Sequence, residues 1–185
     1  SATGCRLVMG AVAGCPIAAT FDGDASLRKR PMRRIIDPVI EIGARVLREE
    51  AGGRLPVTLQ GARDPLPIVY RTPVPSAQIK SAVLLAGLYA TGTTVVREPR
   101  PTRDYTERML RQFGVDIDLA DGFAAVRGGQ RLRAGDVAVP PDFSSAAFFI
   151  VAATLVPGSE LRLRRVGMNP RRTGLVRVLR AMGAD

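Results

Sequence analysis

Ser76-Ala77-Gln78-Ile79-Lys80-Ser81-Ala82-Val83-Leu84-Leu85-Ala86-Gly87-Leu88-Tyr89-Ala90 is the stretch that decides the fold. A small hydroxyl residue follows Pro73 and Pro75 and leads into an apolar run, the pattern of a capped helix. The same pattern returns at Thr3 to Gly14 and at Ser144 to Val156. Each copy reaches a glycine (Gly14, Gly92, Gly158), then a segment of mainly apolar or β-branched residues. An arginine-rich loop and a second, amphipathic helix come next. Those second helices close on Ile42-Gly43-Ala44, Phe113-Gly114-Val115 and Met182-Gly183-Ala184, whose glycines are spaced by 71 and 69 residues. A period of this length marks a repeated structural unit.

Within one repeat the pattern reads helix, strand, helix, strand, strand. Thr93 to Arg97 and Glu160 to Arg164 are expected strands, as are Leu55 to Gln60 and Ile68 to Arg71. Val126 to Arg133 carries Gly128-Gly129, a hairpin-like break. Asp104 to Phe113 sets Met109, Leu110 and Phe113 on one helical face, with Gly114 as its stop. A strand ahead of each capped helix completes a βαβαββ unit of about 70 residues. The fold class is therefore α+β, an array of such units rather than a single Rossmann sheet. The first unit lacks its opening strand and the last is cut midway. The chain opens at Ser1 inside a helix start and stops after the Gly183-Ala184 turn, so it is expected to be an internal piece of a longer protein.

Composition narrows the partners. With 46% hydrophobic and 24% charged residues, the 185-residue chain is ordinary globular material. The longest strongly apolar stretch, Ala146 to Val156, is too short to span a bilayer, so no membrane partner is expected. Two cysteines and no histidine supply neither a disulfide framework nor a zinc site, which implies a reducing, cytoplasmic compartment. The net charge is +10, and of 27 basic residues only Lys29 and Lys80 are lysines. Arginine's planar fork suits phosphate and carboxylate oxygens. The arginines are scattered and aromatics make up only 5% of the chain, which argues against a nucleic-acid stacking surface.

Several residues invite two readings. Ser76 is a helix cap, and a helix N-terminus also attracts anions. Thr3 and Ser144 occupy the same place in their repeats. Gln78, in the first turn, is either solvated or within reach of a ligand above the helix end. Arg30 lies in Asp24-Ala25-Ser26-Leu27-Arg28-Lys29-Arg30-Pro31, a basic connection with Pro31 at a plausible first helical position. Arg103 precedes the Asp104 cap in the next repeat. Both arginines are either solvated or anion-holding. The sequence contains no paired carboxylates, nucleophile–base pair or Walker loop.

Taken together, the segments resemble one family. Ser1-Ala2-Thr3-Gly4-Cys5-Arg6-Leu7, Gly23 to Met32, Pro75 to Leu88, Thr102 to Leu110 and Met168-Asn169-Pro170-Arg171-Arg172-Thr173-Gly174 are similar, in order, to the signatures of 5-enolpyruvylshikimate-3-phosphate synthases. The resemblance implies the enolpyruvyl transferase fold, an inside-out α/β barrel of two lobes with three βαβαββ units each. Residues 1–142 would belong to the first lobe, with one complete unit from about residue 68, and 143–185 would begin the second. It implies transfer of the enolpyruvyl group of phosphoenolpyruvate to the 5-hydroxyl of shikimate 3-phosphate, releasing phosphate, in a monomer needing no metal or organic cofactor. Arg30 and Gln78 would contact phosphoenolpyruvate, and Ala2 with Thr3 would approach it. Ser76, Ala77, Gln78 and Arg103 would line the shikimate 3-phosphate site, with Ser76 and Arg103 on its phosphate.

Three departures from the family pattern stand out. Ala2 replaces a frequent glycine, which resembles the glyphosate-insensitive class and implies weak inhibition of the parent enzyme. Tyr105 stands where that class has histidine, and Pro141 where glycine is usual. The family's acid–base carboxylates and amino-terminal lysine motif match nothing here, so the catalytic residues are expected outside this chain and the isolated chain should be inactive. The sister enzyme acting on UDP-N-acetylglucosamine is the nearest alternative, but it usually carries cysteine where Ala25 stands. A basic RNA-binding module is the alternative from another class.

Overall fold

Three glycines from the repeat end their helices in the same way. The computed structural model describes residues 1–184 in two units, Ser1–Ala134 and the residues from Gly135 onward. The first unit runs α1 (Ala2–Ala13), β1 (Ala18–Phe21), α2 (Ala25–Arg28), α3 (Arg33–Glu41), β2 (Arg45–Glu50), β3 (Arg54–Gln60), β4 (Val69–Arg71), α4 (Ala77–Gly87), β5 (Thr93–Arg97), α5 (Tyr105–Gln112), β6 (Ile117–Ala120) and β7 (Phe123–Arg127). The second carries α6 (Phe143–Leu155) and α7 (Gly174–Ala181). Gly43, Gly114 and Gly183 follow α3, α5 and α7 with φ of 113°, 80° and 93°, a region that favours a residue without Cβ. Around each, two amides return to the helix end. Gly43 N–H donates to the Ile40 carbonyl and Ala44 N–H to Val39. The same pair of bonds closes α5 (Gly114 to Arg111, Val115 to Leu110) and α7 (Gly183 to Arg180, Ala184 to Leu179). This is the Schellman stop, written three times.

The strands repeat as well. One sheet has the order β1-β3-β2, antiparallel throughout, and the other β4-β5-β7-β6. In the second, β4 and β5 are parallel and the remaining pairs antiparallel. Strands β5, β7 and β6 thus repeat β1, β3 and β2, and β4 is the opening strand that the first repeat lacks. β4-α4-β5-α5-β6-β7 is a complete βαβαββ unit. Leu55, Val57 and Leu59 alternate inward from β3 and form the core with Ile35, Ile36 and Val39 of α3.

Helix α4 is buried from Ile79 to Gly87 except at Leu85, with Lys80 and Ser81 enclosed among its apolar residues. It lies directly on α1. A Cβ placed on Gly10 would stand 2.4 Å from the Ala82 carbonyl oxygen, so the absent side chain lets the two backbones touch. The last strand of each repeat then returns to its first helix. Ala62 N–H, after β3, donates to the Ala13 carbonyl at the end of α1, and Gly129 N–H, after β7, to the Leu88 carbonyl at the end of α4. These bonds satisfy helix-terminal carbonyls that would otherwise be orphaned.

Some expectations need correction. The caps of α1 and α6 are Ser1, which accepts from Gly4 N–H, and Asp142, which accepts from Ser145 N–H. Thr3 and Ser144 therefore lie inside the helices, because an earlier residue reaches the free amides first. The Asp24–Pro31 connection contains the short helix α2, and α3 begins at Arg33, so Pro31 is not its first residue. Glu160 to Arg164 form no strand, since the second unit offers them no neighbouring strand among the described residues. The hairpin turn falls at Asp121-Gly122 between β6 and β7, not at Gly128-Gly129. Leu110 of α5 is buried but Met109 is exposed, and the inward face instead includes Glu107.

Candidate functional site

The amino end of α1 faces the short helix α2. Asp24 accepts from Leu27 N–H at 2.7 Å and so caps α2, whose single turn leads to Arg30. Ala2 and Thr3 from one side, and Asp24, Ser26, Leu27 and Arg30 from the other, line an open cleft of about 320 Å³. Arg30 is exposed; its backbone N–H donates to the Leu27 carbonyl at 3.0 Å, and its guanidinium makes no hydrogen bond or ion pair among the described residues. A charged, uncommitted guanidinium at the rim of a cleft is available to an anion.

Behind the cleft lies a residue that sequence reasoning overlooked. Arg6 is buried, with 7% of its surface exposed. Its Nη1 donates to Gln78 Oε1 at 2.6 Å and its Nη2 to the Pro31 carbonyl at 3.1 Å. Gln78 Nε2 donates in turn to Thr3 Oγ1 at 2.8 Å. One guanidinium thus ties the first turn of α4 to the residue after Arg30, and Gln78 ties α4 to Thr3. Arg6 Nε is buried without a hydrogen-bond partner among the described residues. Burial holds the Arg6 pKa below its ordinary value, and the positive charges of Arg34 and Arg30 add to the effect. Arg30 and Arg34 thus lie close enough to act on the Arg6 charge, and no carboxylate is paired to Arg6 among the described residues. The signal in the sequence was an arginine within an otherwise apolar helix, three residues after Thr3.

Ser76 caps α4, its Oγ accepting from Ile79 N–H at 3.4 Å, and Ala77 begins the helix. Both are partly buried and stand beside Gln78 at the same helix end. Arg103 lies between β5 and α5, partly buried and without a hydrogen bond or ion pair among the described residues. The structure thus brings Ala2, Thr3, Arg30 and Gln78 into one connected group through Arg6. Ser76 and Ala77 adjoin it on α4, whereas no hydrogen bond or ion pair ties Arg103 to that group. Tyr105 is exposed at the start of α5. Pro141 precedes the Asp142 cap, and Arg172 Nη2 donates to Asp142 at 2.9 Å and to the Ser144 hydroxyl. Among the described residues, no cluster of histidine, cysteine, aspartate or glutamate could hold a metal, and no helix is long and apolar enough to cross a membrane.

Repeated βαβαββ units with a cationic, glutamine-linked cleft at the helix amino ends define an α+β protein of repeated units. Family comparison is more specific. The model for EPSP synthase (3-phosphoshikimate 1-carboxyvinyltransferase) matches residues 1–185, and the chain belongs to that family. It is 62% identical over 188 residues to a 3-phosphoshikimate 1-carboxyvinyltransferase of Rhodopseudomonas palustris strain BisB5, covering 99% of this chain and 42% of the relative. The Xanthomonas campestris pv. campestris strain B100 protein of the same name is 60% identical over 183 residues, with the same coverage. A solved EPSP synthase from Acinetobacter baumannii superposes with a TM-score of 0.87 at 45% identity, covering 99% of this chain and 41% of that one. The chain thus spans about two fifths of the length of these relatives.

Proposed function

We propose that this chain supplies part of the substrate site for transfer of the enolpyruvyl group of phosphoenolpyruvate to the 5-hydroxyl of shikimate 3-phosphate, with release of phosphate. The observation that carries the reading is the Arg6–Gln78–Thr3 linkage behind the cleft shared by Ala2 and Arg30. Both substrates are phosphorylated anions, and the cleft offers the uncommitted Arg30 guanidinium with that of Arg6 behind it. In this reading Arg30 and Gln78 hold phosphoenolpyruvate, with the Ala2 methyl narrowing the space beside it. Ser76, Ala77 and Arg103 hold shikimate 3-phosphate, and Gln78 borders both substrates. The contribution of these residues is orientation and charge stabilisation, since fixing two reactants side by side removes much of the entropic barrier. The reading also implies a cytoplasmic monomer at full length.

Titration calorimetry of shikimate 3-phosphate into the purified, folded chain tests this, with UDP-N-acetylglucosamine and a short RNA as controls. Saturable binding of shikimate 3-phosphate alone supports the reading. Preferential binding of either control would sink it, and no binding by a folded chain would refute a preformed half-site.

A further inference from the structure

Beneath the loop that carries Arg103 lies a buried cluster of charge outside the cleft. Lys80 of α4 is one helical turn inside Ser76, and its Nζ contacts Glu98 Oε2 at 2.8 Å and Glu107 Oε1 at 2.7 Å. All three side chains are almost fully enclosed, with 3 to 4% exposed. Burying three charges is costly, and removing one member of such a group strands the others. The cluster holds two carboxylates against one ammonium, so it does not balance on charge alone. The second Glu107 oxygen has no hydrogen-bond partner among the described residues. Ion pairing by itself does not account for this arrangement.

The remaining bonds of Glu98 suggest what the cluster does. Glu98 directly follows β5, and its Oε2 accepts from the Thr102 backbone N–H at 3.3 Å, while its Oε1 accepts from the Thr102 hydroxyl. One carboxylate therefore grips the loop at the residue before Arg103. On the other side of Arg103, Ser81 of α4 meets Thr106 of α5 at 2.7 Å. Helix α4, the end of β5 and the start of α5 are locked around a short loop whose Arg103 is uncommitted among the described residues.

We infer that Glu98, oriented by Lys80, is a positioning residue that holds Thr102 and thereby sets Arg103 for a phosphomonoester dianion bound at the amino end of α4. Lys80 serves both ends of this arrangement, since it belongs to the first turns of the helix that Ser76 caps. A fixed guanidinium loses less freedom on binding than a mobile one, so anchoring the loop appears as affinity. The inference rests on the proposed role of Arg103 in holding the phosphate of shikimate 3-phosphate.

A double-mutant cycle in the full-length protein separates the two claims, with direct binding of shikimate 3-phosphate and the KM for each substrate as readouts. Glu98→Gln keeps the shape and removes the charge. Thr102→Val removes only the gripped hydroxyl and leaves the ion pairs in place, so it remains informative if Glu98→Gln fails to fold. Each is expected to weaken shikimate 3-phosphate binding about tenfold, within the range of measured couplings between contacting residues. The KM for phosphoenolpyruvate should stay within about twofold. In an Arg103→Met background, the further loss from either substitution should vanish. If Arg103→Met itself leaves binding unchanged, the phosphate-site reading fails. If Arg103→Met weakens binding but Thr102→Val does not, or if the losses remain additive, the positioning role is wrong.

Discussion

Gly4 and Gly10 occupy the same helix, yet replacing them with alanine should move stability in opposite directions. A Cβ on Gly10 would stand 2.4 Å from the Ala82 carbonyl oxygen and 2.5 Å from its Cα. An ordinary contact needs about 3.4 Å, so α1 and α4 must separate by roughly 1 Å. The obstacle is backbone and cannot rotate aside. Overpacking of this kind costs about 1–3 kcal/mol, and an unyielding neighbour puts it near the upper end. The helix-propensity gain of alanine over glycine offsets about 1 kcal/mol, which leaves a net loss near 2 kcal/mol. At Gly4 the nearest atom is Ser1 Cβ at 3.9 Å, so the propensity gain of up to about 1 kcal/mol stands alone. For a chain of this length, about 2–4 °C in Tm accompanies each kcal/mol. Thermal and urea unfolding followed by far-ultraviolet circular dichroism should therefore place Gly10→Ala about 4–8 °C below the parent and Gly4→Ala slightly above it. A Gly10→Ala chain as stable as the parent would refute the backbone-contact account, as would two shifts of the same sign. Because the Arg6–Gln78 bond spans the same helix pair, Gly10→Ala should also loosen the cleft.

Arg6→Lys keeps the charge but cannot bridge Gln78 and Pro31 with one planar fork; in the full-length protein it should raise the KM for phosphoenolpyruvate about tenfold, the scale of losing one to two charged hydrogen bonds. An unchanged KM would remove Arg6 from the site. Ala2→Gly should strengthen glyphosate inhibition competitive with phosphoenolpyruvate, and potent inhibition of the unsubstituted enzyme would contradict the steric argument. Asp22 receives two bonds from Arg28, at 2.8 and 2.6 Å, and one from Gly23 N–H, which hold its carboxyl below the usual range. Its contribution to stability is present above the unfolded value of about 3.9 and is lost as pH falls through the lower folded value. An NMR titration should show the depressed midpoint in the parent and its return upward in Arg28→Ala.

The repeat was legible because it rests on local rules. Glycine at the three helix ends is demanded by backbone conformation, which a sequence displays directly, and the 71- and 69-residue spacings followed. Arg30, Ala2 and Gln78 are proposed as site residues through family resemblance; their charge and position alone also fit a solvated loop and a plain helix turn. The caps were misplaced because Ser1 and Asp142 also have capping oxygens, and only geometry decides which oxygen reaches the amides. Arg6, Glu98 and Glu107 were missed for a common reason. A charged residue reads as solvent-facing until partners far along the chain enclose it, and those partners lie 72, 18 and 27 positions away for Arg6–Gln78, Lys80–Glu98 and Lys80–Glu107. Glu160 to Arg164 alternated as a strand should, but strand formation depends on a neighbour that no local pattern contains.

The bonds from Ala62 to Ala13 and from Gly129 to Leu88 carry a consequence for synthesis on the ribosome. In each repeat the carbonyl at the end of the first helix is met by an amide made about 40 to 50 residues later. At typical translation rates of about 5–20 residues per second, that helix waits roughly 2 to 10 s for its closing strand. Until then it is an apolar rod with an open end, exposed to whatever else is emerging. Each repeat is thus a clasp whose catch is delivered last, and quality control has that interval in which to act.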